Sequence, residues 1–245
     1  MRVAAVIQAR LGSTRLPGKV LRGICSEPMI AHVVRRVRRL ERIDWVGVAI
    51  PDTAGDDPLA EHLATLEGVA VTRGPEDDVL ARYVAAAEVA RADAVVRITA
   101  DCPLLCPSVS QRVVDAFIER TGECDYASNT LDRTFPRGLD TEVVSVAVLR
   151  TAHREASETA DREHVTRFIW SRPERFRLHS VTDIRDRSHL RWTVDTKEDL
   201  ALVSRIYEAL RAHQPNFDYP EILDCIAAHP EWLELNRHVP QKPAR

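Results

Sequence analysis

The run Gln8-Ala9-Arg10-Leu11-Gly12-Ser13-Thr14-Arg15-Leu16-Pro17-Gly18-Lys19 concentrates the residues of this sequence best able to hold an anion. Arg10, Arg15 and Lys19 place three cations within ten residues, and like charges that close repel one another unless an anion sits among them. Gly12 and Gly18 let the backbone approach a ligand closely, while Ser13 and Thr14 add hydroxyl and N–H groups. The set suits a polyphosphate. Its spacing is neither that of the P-loop nor that of the dinucleotide-binding G-x-G-x-x-G. Lys19 stands out further, because of the 34 basic residues only Lys19, Lys197 and Lys242 are lysines.

Two aspartates follow apolar runs elsewhere. Asp101 comes after Ala94-Val95-Val96-Arg97-Ile98-Thr99, and Asp195 after Trp192-Thr193-Val194. Carboxylates at neighbouring strand ends can share a hard cation such as Mg²⁺, which prefers a few carboxylates, waters and phosphate oxygens. Each also has a purely structural use. Asp195 precedes a helix containing Glu198 in a capping-box arrangement, and Asp101 can turn the chain before Pro103.

Such residues need a scaffold that brings strand ends together. Val3–Ile7 is a continuous apolar run, as expected of a strand covered on both faces in a parallel sheet. Met29, Ile30, Val33, Val34, Val37 and Leu40 then fall at helical spacing, with Arg35, Arg36, Arg38 and Arg39 on the other face. Strands follow at 45–50, 69–72 and 94–99, and helices at 59–66, 77–91 and 107–119, the last with Pro107 in its first turn. This regular alternation predicts a doubly wound sheet, whose ligands sit outside the carboxyl ends of the strands. From Cys124 the pattern becomes mixed: strands at 125–129, 142–146, 176–181 and 191–194, and helices at 148–156, 162–170, 197–211 and 219–229. There is no internal repeat or Ser/Gly linker. We therefore expect one domain over 1–238, with a nucleotide-binding half (1–123) and a mixed second half (124–238), and a frayed tail (239–245).

Composition excludes several classes. The 245 residues carry 34 Lys+Arg against 37 Asp+Glu, and 44% are hydrophobic, which rules out a disordered or collagenous chain. A net charge of -3 argues against nucleic acid as the main partner, since phosphate neutralisation needs a clustered basic excess. No apolar run approaches the ~20 residues of a membrane span, and no cleavable leader precedes the first strand, so a cytoplasmic protein with no membrane partner is expected. The five cysteines are odd in number and lack zinc-site spacing, as expected of reduced thiols.

Five segments in order carry a family resemblance: Ile7-Gln8-Ala9-Arg10 through Arg15-Leu16-Pro17-Gly18-Lys19-Val20-Leu21; Arg97-Ile98-Thr99-Ala100-Asp101-Cys102-Pro103-Leu104; Phe135-Pro136-Arg137-Gly138-Leu139-Asp140-Thr141-Glu142; Arg162-Glu163-His164-Val165-Thr166; and Thr193-Val194-Asp195-Thr196-Lys197-Glu198-Asp199-Leu200. Together they resemble the cytidylyltransferases, which include the synthetases of CMP-Kdo and CMP-sialic acid, and most of all their spore-coat polysaccharide branch. The sequence departs from the usual pattern at Ala100, where Gly is common, at Ser26-Glu27-Pro28, where Gly-Lys-Pro is common, and at Arg167, where Pro is frequent.

The resemblance implies an α/β, Rossmann-like (GT-A-like) nucleotidyltransferase fold with a mixed sheet flanked by helices. It also implies a reaction in which an acceptor oxygen attacks the α-phosphorus of CTP and pyrophosphate leaves. In that reaction Ala9, Arg10, Gly12, Ser13, Arg15 and Lys19 would hold the triphosphate, and Lys19 would stabilise the charge that develops on it. Asp101 and Asp195 would bind Mg²⁺, Arg73 would meet the base, and a homodimer is expected through the C-terminal half. An acidic acceptor, such as a Kdo-like or nonulosonic acid or a small phosphonate, needs an arginine fork, for which Arg137 and Arg162 are suited. Asp140, Glu142 and His164 complete the expected acceptor site, although His164 also fits a helix-surface histidine. Two other readings differ in kind. A glycosyltransferase of related fold would use a D-x-D metal motif, which no strand end carries, and a non-catalytic nucleotide-binding module would have no need of Lys19 together with both aspartates.

Overall fold

The computed structural model describes residues 1–240. In chain order the first half comprises β1 (Val3–Gln8), a hairpin of β2 (Gly23–Ile24) and β3 (Glu27–Pro28), α1 (Met29–Val37), β4 (Trp45–Pro51), α2 (Asp57–Ala64), β5 (Ala70–Gly74), α3 (Val79–Ala90), β6 (Ala94–Thr99) and α4 (Pro107–Glu119). The second half comprises β7 (Tyr126–Ser128), β8 (Glu142–Ser145), α5 (Val146–Glu155), α6 (Thr159–Glu163), α7 (Arg167–Trp170), β9 (Leu178–Ser180), α8 (Lys197–Arg211) and α9 (Tyr219–Ala228). Seven strands form one sheet in the order β5-β4-β1-β6-β8-β7-β9. β1, β4, β5 and β6 are mutually parallel, whereas β8 runs antiparallel to β6 and to β7.

Both faces of β1 are buried, so its side chains divide between two cores. Val3, Ala5 and Ile7 pack with α1, α2, α4, α8 and α9, while Ala4 and Val6 pack with α3, α5 and α7. This is why β1 reads as an unbroken apolar run instead of an alternating one. The first core also takes in Leu202, Ile206 and Ile222, so the two halves of the chain share it. The fully buried Tyr83 ties α3 to the sheet by donating to the carbonyls of Ile98 (3.0 Å) and Val6 (3.3 Å).

Three local expectations differ from what is found. The helix expected over 162–170 is two short ones, because Val165 takes a left-handed conformation (φ 57) that a β-branched residue adopts only under constraint. The strand expected over 191–194 reduces to a single bridge between Arg191 and Arg137, since the chain there is claimed by the 137–139 turn. Gly138 sits at φ 105 against this segment, and a Cβ on it would lie 2.5 Å from the Thr193 nitrogen. α8 is capped by Thr196 in a capping box with Asp199, which leaves Asp195 outside the helix. Of the expected tail, Val239 is buried and its N–H donates to the Asn236 carbonyl (3.0 Å), and residues 241–245 lie outside the described residues.

Candidate active site

The loop after β1 folds back across the strand ends and closes on a short 3₁₀ turn (Lys19–Leu21), capped by Gly18 in the left-handed region (φ 65). This turn delivers the Lys19 ammonium to a three-oxygen socket. Its Nζ donates to Asp101 Oδ2, Asp195 Oδ1 and the Val194 carbonyl, each at 2.9 Å. Asp101 follows β6, and Asp195 is brought beside it because the Val194 N–H donates to the Asp101 carbonyl (2.8 Å). Arg15 pairs with Asp195 from the solvent side (3.0 Å), and Arg191 from the protein side (2.9 Å). Arg191 in turn holds the fully buried Asp199 through two bonds (2.8 and 2.9 Å), and Asn236 donates to the same carboxylate (2.9 Å). The junction therefore balances three cations against three carboxylates.

Burial disfavours every charge in this junction, yet the pairing outweighs it. Lys19 is held above its ordinary pKa by Asp101 and Asp195 despite desolvation. Asp195, also against the desolvation that would raise it, is pulled down to about 2 by Lys19, Arg191 and Arg15. Asp101 is lowered by Lys19 and by a bond from Thr99, against burial and the neighbouring Asp195.

Two cavities meet here. The first, about 640 Å³, is lined by Ala9, Arg10, Gly12, Ser13, Arg15 and Lys19 on the loop side and by Glu76, Val79 and Arg82 on the β5–α3 side. The second, about 610 Å³, is lined by Arg133, Arg137, Asp140 and Glu142 among others. Thr99, Asp101, His164 and Asp195 line both. His164 reaches this shared wall because the left-handed Val165 breaks the helix immediately after it.

The second cavity carries a cation in excess. Arg133 is bound to Asp140 through two bonds (2.6 and 2.8 Å), which hold its pKa up in spite of burial. Among the described residues, Arg137 has no hydrogen-bond or ion-pair partner for its guanidinium, and burial together with the charges of Arg133 and Arg191 lowers its pKa. Beneath both cavities, Arg97 on β6 pairs with Glu142 on β8 and donates to Gln8 on β1 (3.0 Å). The Glu142 carboxylate also accepts from Tyr126 (2.8 Å) and from Thr166.

Most of the residues singled out in the sequence thus converge on these two cavities, and three stand elsewhere or serve otherwise. Arg73 turns away, donating to the carbonyls of Pro51 (3.2 Å) and Thr53 (2.8 Å) and pairing with Asp57 (2.7 Å), because β5 is an edge strand and its residue 73 points outward. Arg162 pairs with Asp78 (3.3 Å) and lines neither cavity. Glu142 lines the second cavity, but both its oxygens are taken by Arg97, Tyr126 and Thr166. Sequence reasoning missed Arg82, Arg133 and Arg191. Arg82 gave no signal, since an arginine in a helix reads as surface. Arg191 gave no signal either, since a spacing of four brings side chains together on a helix and not along the strand expected at 191–194.

A mixed sheet with a cation-rich loop after its first strand and paired aspartates on two adjoining segments belongs to the α/β nucleotidyl-transferring enzymes. The Cytidylyltransferase family matches residues 4–239, and the chain is a member of that family. The spore coat polysaccharide biosynthesis protein SpsF of Bacillus subtilis (strain 168) is 32% identical over 233 residues, covering 92% of this chain and 94% of that protein. A 3-deoxy-manno-octulosonate cytidylyltransferase of Anaeromyxobacter sp. (strain K) is 36% identical over 116 residues, 46% of each chain. The solved structure of a cytidylyltransferase from Leptospira borgpetersenii serovar Hardjo-bovis (strain JB197) superposes with a TM-score of 0.91 at 29% identity, covering 98% of this chain and 100% of that one. No helix among the described residues is long and apolar enough to cross a membrane.

Proposed function

We propose that this cytidylyltransferase joins CMP from CTP to an acidic acceptor, a sugar acid of the Kdo or nonulosonic type, with release of pyrophosphate. The observation that carries this reading is the shared wall. Two cavities of similar size meet at Asp101 and Asp195, with the Lys19 ammonium bonded to both carboxylates at 2.9 Å. The first cavity, walled by the Arg10–Lys19 loop, suits the triphosphate, and the second, where Arg137 has no partner among the described residues, suits a carboxylate. A named 3-deoxy-manno-octulosonate cytidylyltransferase among the relatives supports the sugar-acid class.

In this reading an acceptor oxygen forms a bond to the α-phosphorus as the bond to the β-phosphate oxygen breaks. Arg10, Ser13 and Arg15, with the N–H groups around Ala9 and Gly12, bind the phosphates in line for that displacement. Lys19 turns from its carboxylate socket, which a divalent cation would fill in its place, to the developing negative charge. Arg137 orients the acceptor carboxylate, Arg133 and Asp140 shape its wall, and His164, at the shared wall, accepts the hydroxyl proton.

The carboxylates fit a divalent cation. Asp101 Oδ2, Asp195 Oδ1 and the Val194 carbonyl converge on one point, where the ammonium stands in for a metal ion, and the all-oxygen set suits a hard ion such as Mg²⁺. Among the described residues no group of three or more His, Cys, Asp and Glu is placed to hold a metal, so phosphate oxygens and water would complete its shell. Bound there, Mg²⁺ would supply charge neutralisation at the phosphates. Use of CTP suits a cytoplasmic location, and the family resemblance supports a homodimer through residues 124–238, which sedimentation would test.

The reading is tested by pyrophosphate release from each of the four nucleoside triphosphates, with and without Mg²⁺, against Kdo, nonulosonic acids, sugar phosphates and small phosphonates. Release confined to CTP, Mg²⁺ and an acid is expected. Consumption of a nucleotide sugar without pyrophosphate would replace it with glycosyl transfer.

A further inference from the structure

The first cavity is lined at one end by Thr99–Asp101 after β6 and at the other by the segment that follows β5, and β5 and β6 stand three strand spacings, about 14 Å, apart in the sheet. The Lys19 socket lies at the β6 end, so a nucleotide whose phosphates are held there extends its base toward the β5–α3 wall of Glu76, Val79 and Arg82. Arg82, in the first turn of α3, is 3% exposed. Its Nε and Nη1 are buried without an acceptor, and among the described residues its guanidinium makes no hydrogen bond or ion pair. Such a group costs folding free energy and calls for an explanation. Its stem passes over Gly74 so closely that a Cβ there would stand 3.1 Å from Arg82 Cγ. Burial and the charge of Arg10 lower its pKa, while Asp56 and Glu76 oppose them without reaching ion-pair distance.

We propose that Arg82 selects the base, taking the role that Arg73 has no reach to fill. A guanidinium offers paired N–H donors in a plane. Cytosine presents two adjacent acceptors, N3 and O2, on its pairing edge, whereas uracil presents an N3–H donor beside O2 and so sets donor against donor. Among the described residues no hydrogen bond or ion pair fixes the plane of the Arg82 guanidinium, which lines the cavity and is free to turn its donors toward a bound base. Unpaired donors on a buried arginine reject a ligand that leaves them unpaired, which is how a polar pocket discriminates strongly.

The inference rests on the reading of this cavity as a CTP site, and the test separates the two. Calorimetry with Mg²⁺ measures binding of CTP, UTP and 3-deaza-CTP, which lacks the N3 acceptor, to the full chain and to Arg82→Gln and Arg82→Lys. The unmodified protein should bind CTP about 10- to 100-fold more tightly than either analogue. Arg82→Gln should lower CTP affinity by a similar factor and bind CTP and 3-deaza-CTP alike. A folded Arg82→Gln that keeps the CTP-to-UTP ratio would overturn the role of Arg82 and leave the CTP site intact. The comparison of CTP with 3-deaza-CTP on the unmodified protein holds even if the variants fail to fold, and equal binding there also overturns the proposal. Binding of no nucleotide at all would refute the CTP site itself and Arg82's role with it.

Discussion

The two cavities that meet at Asp101 and Asp195 handle charge differently. At the junction Lys19, Arg15 and Arg191 are matched by Asp101, Asp195 and Asp199, so the protein is neutral there before any ligand arrives. In the second cavity Arg133 is cancelled by Asp140, and among the described residues Arg137 is left over. A nucleotide that arrives with a metal brings its own countercharge and needs a site whose charges can be exchanged. A bare acid brings only negative charge and needs a cation held ready.

The largest expected effect lies beneath both cavities. Glu142→Gln would leave Arg97 buried without a carboxylate and cost about 3–5 kcal/mol of stability, read from urea unfolding. Unchanged stability would mean that Arg97 and Glu142 do not form the common floor. Lys19→Ala breaks the junction itself, and kcat/KM for pyrophosphate release should fall about 100- to 1000-fold in protein that still folds. Arg137→Ala sharpens the contrast: the acceptor KM should rise about 10- to 100-fold with the CTP KM unchanged, and an equal rise in both would erase the division of labour.

The smallest effect lies outside both sites. His32 is fully buried, its Nε2–H donating to the Ile24 carbonyl (2.8 Å), and burial lowers its pKa to about 4. The unfolded chain, with an ordinary histidine near 6.5, binds that proton first, so stability falls as pH drops from 6.5 toward 4. The loss should be about 2 kcal/mol at pH 5, and His32→Gln should flatten it in unfolding titrations.

The parallel half of the fold was legible because its strands are apolar runs between amphipathic helices. Ala94–Thr99 and Pro107–Glu119 are found at the limits expected from sequence. The loop after β1 stood out for a different reason, since three cations in ten residues call for countercharge, and the structure supplies part of it from Asp101 and Asp195. What could not be read depends on contacts between distant segments. The break at Val165 is set by Thr166 bonding to Glu142 on β8, and the fate of 191–194 by close packing against Gly138. Arg82 lines the first cavity and Arg73 does not, because local pattern does not reveal which way an edge-strand residue and a helix residue face.

The most direct test follows the label of CTP carrying ³²P at either the α- or the γ-position, with Mg²⁺ and the best acid from the acceptor panel. The α-label should pass into a product containing the acid and the γ-label into pyrophosphate, in equal amounts and together lost in Lys19→Ala. Transfer of the γ-label to the acid, or release of the α-label as free CMP with the acid unchanged, would contradict attack at the α-phosphorus across the junction of the two cavities.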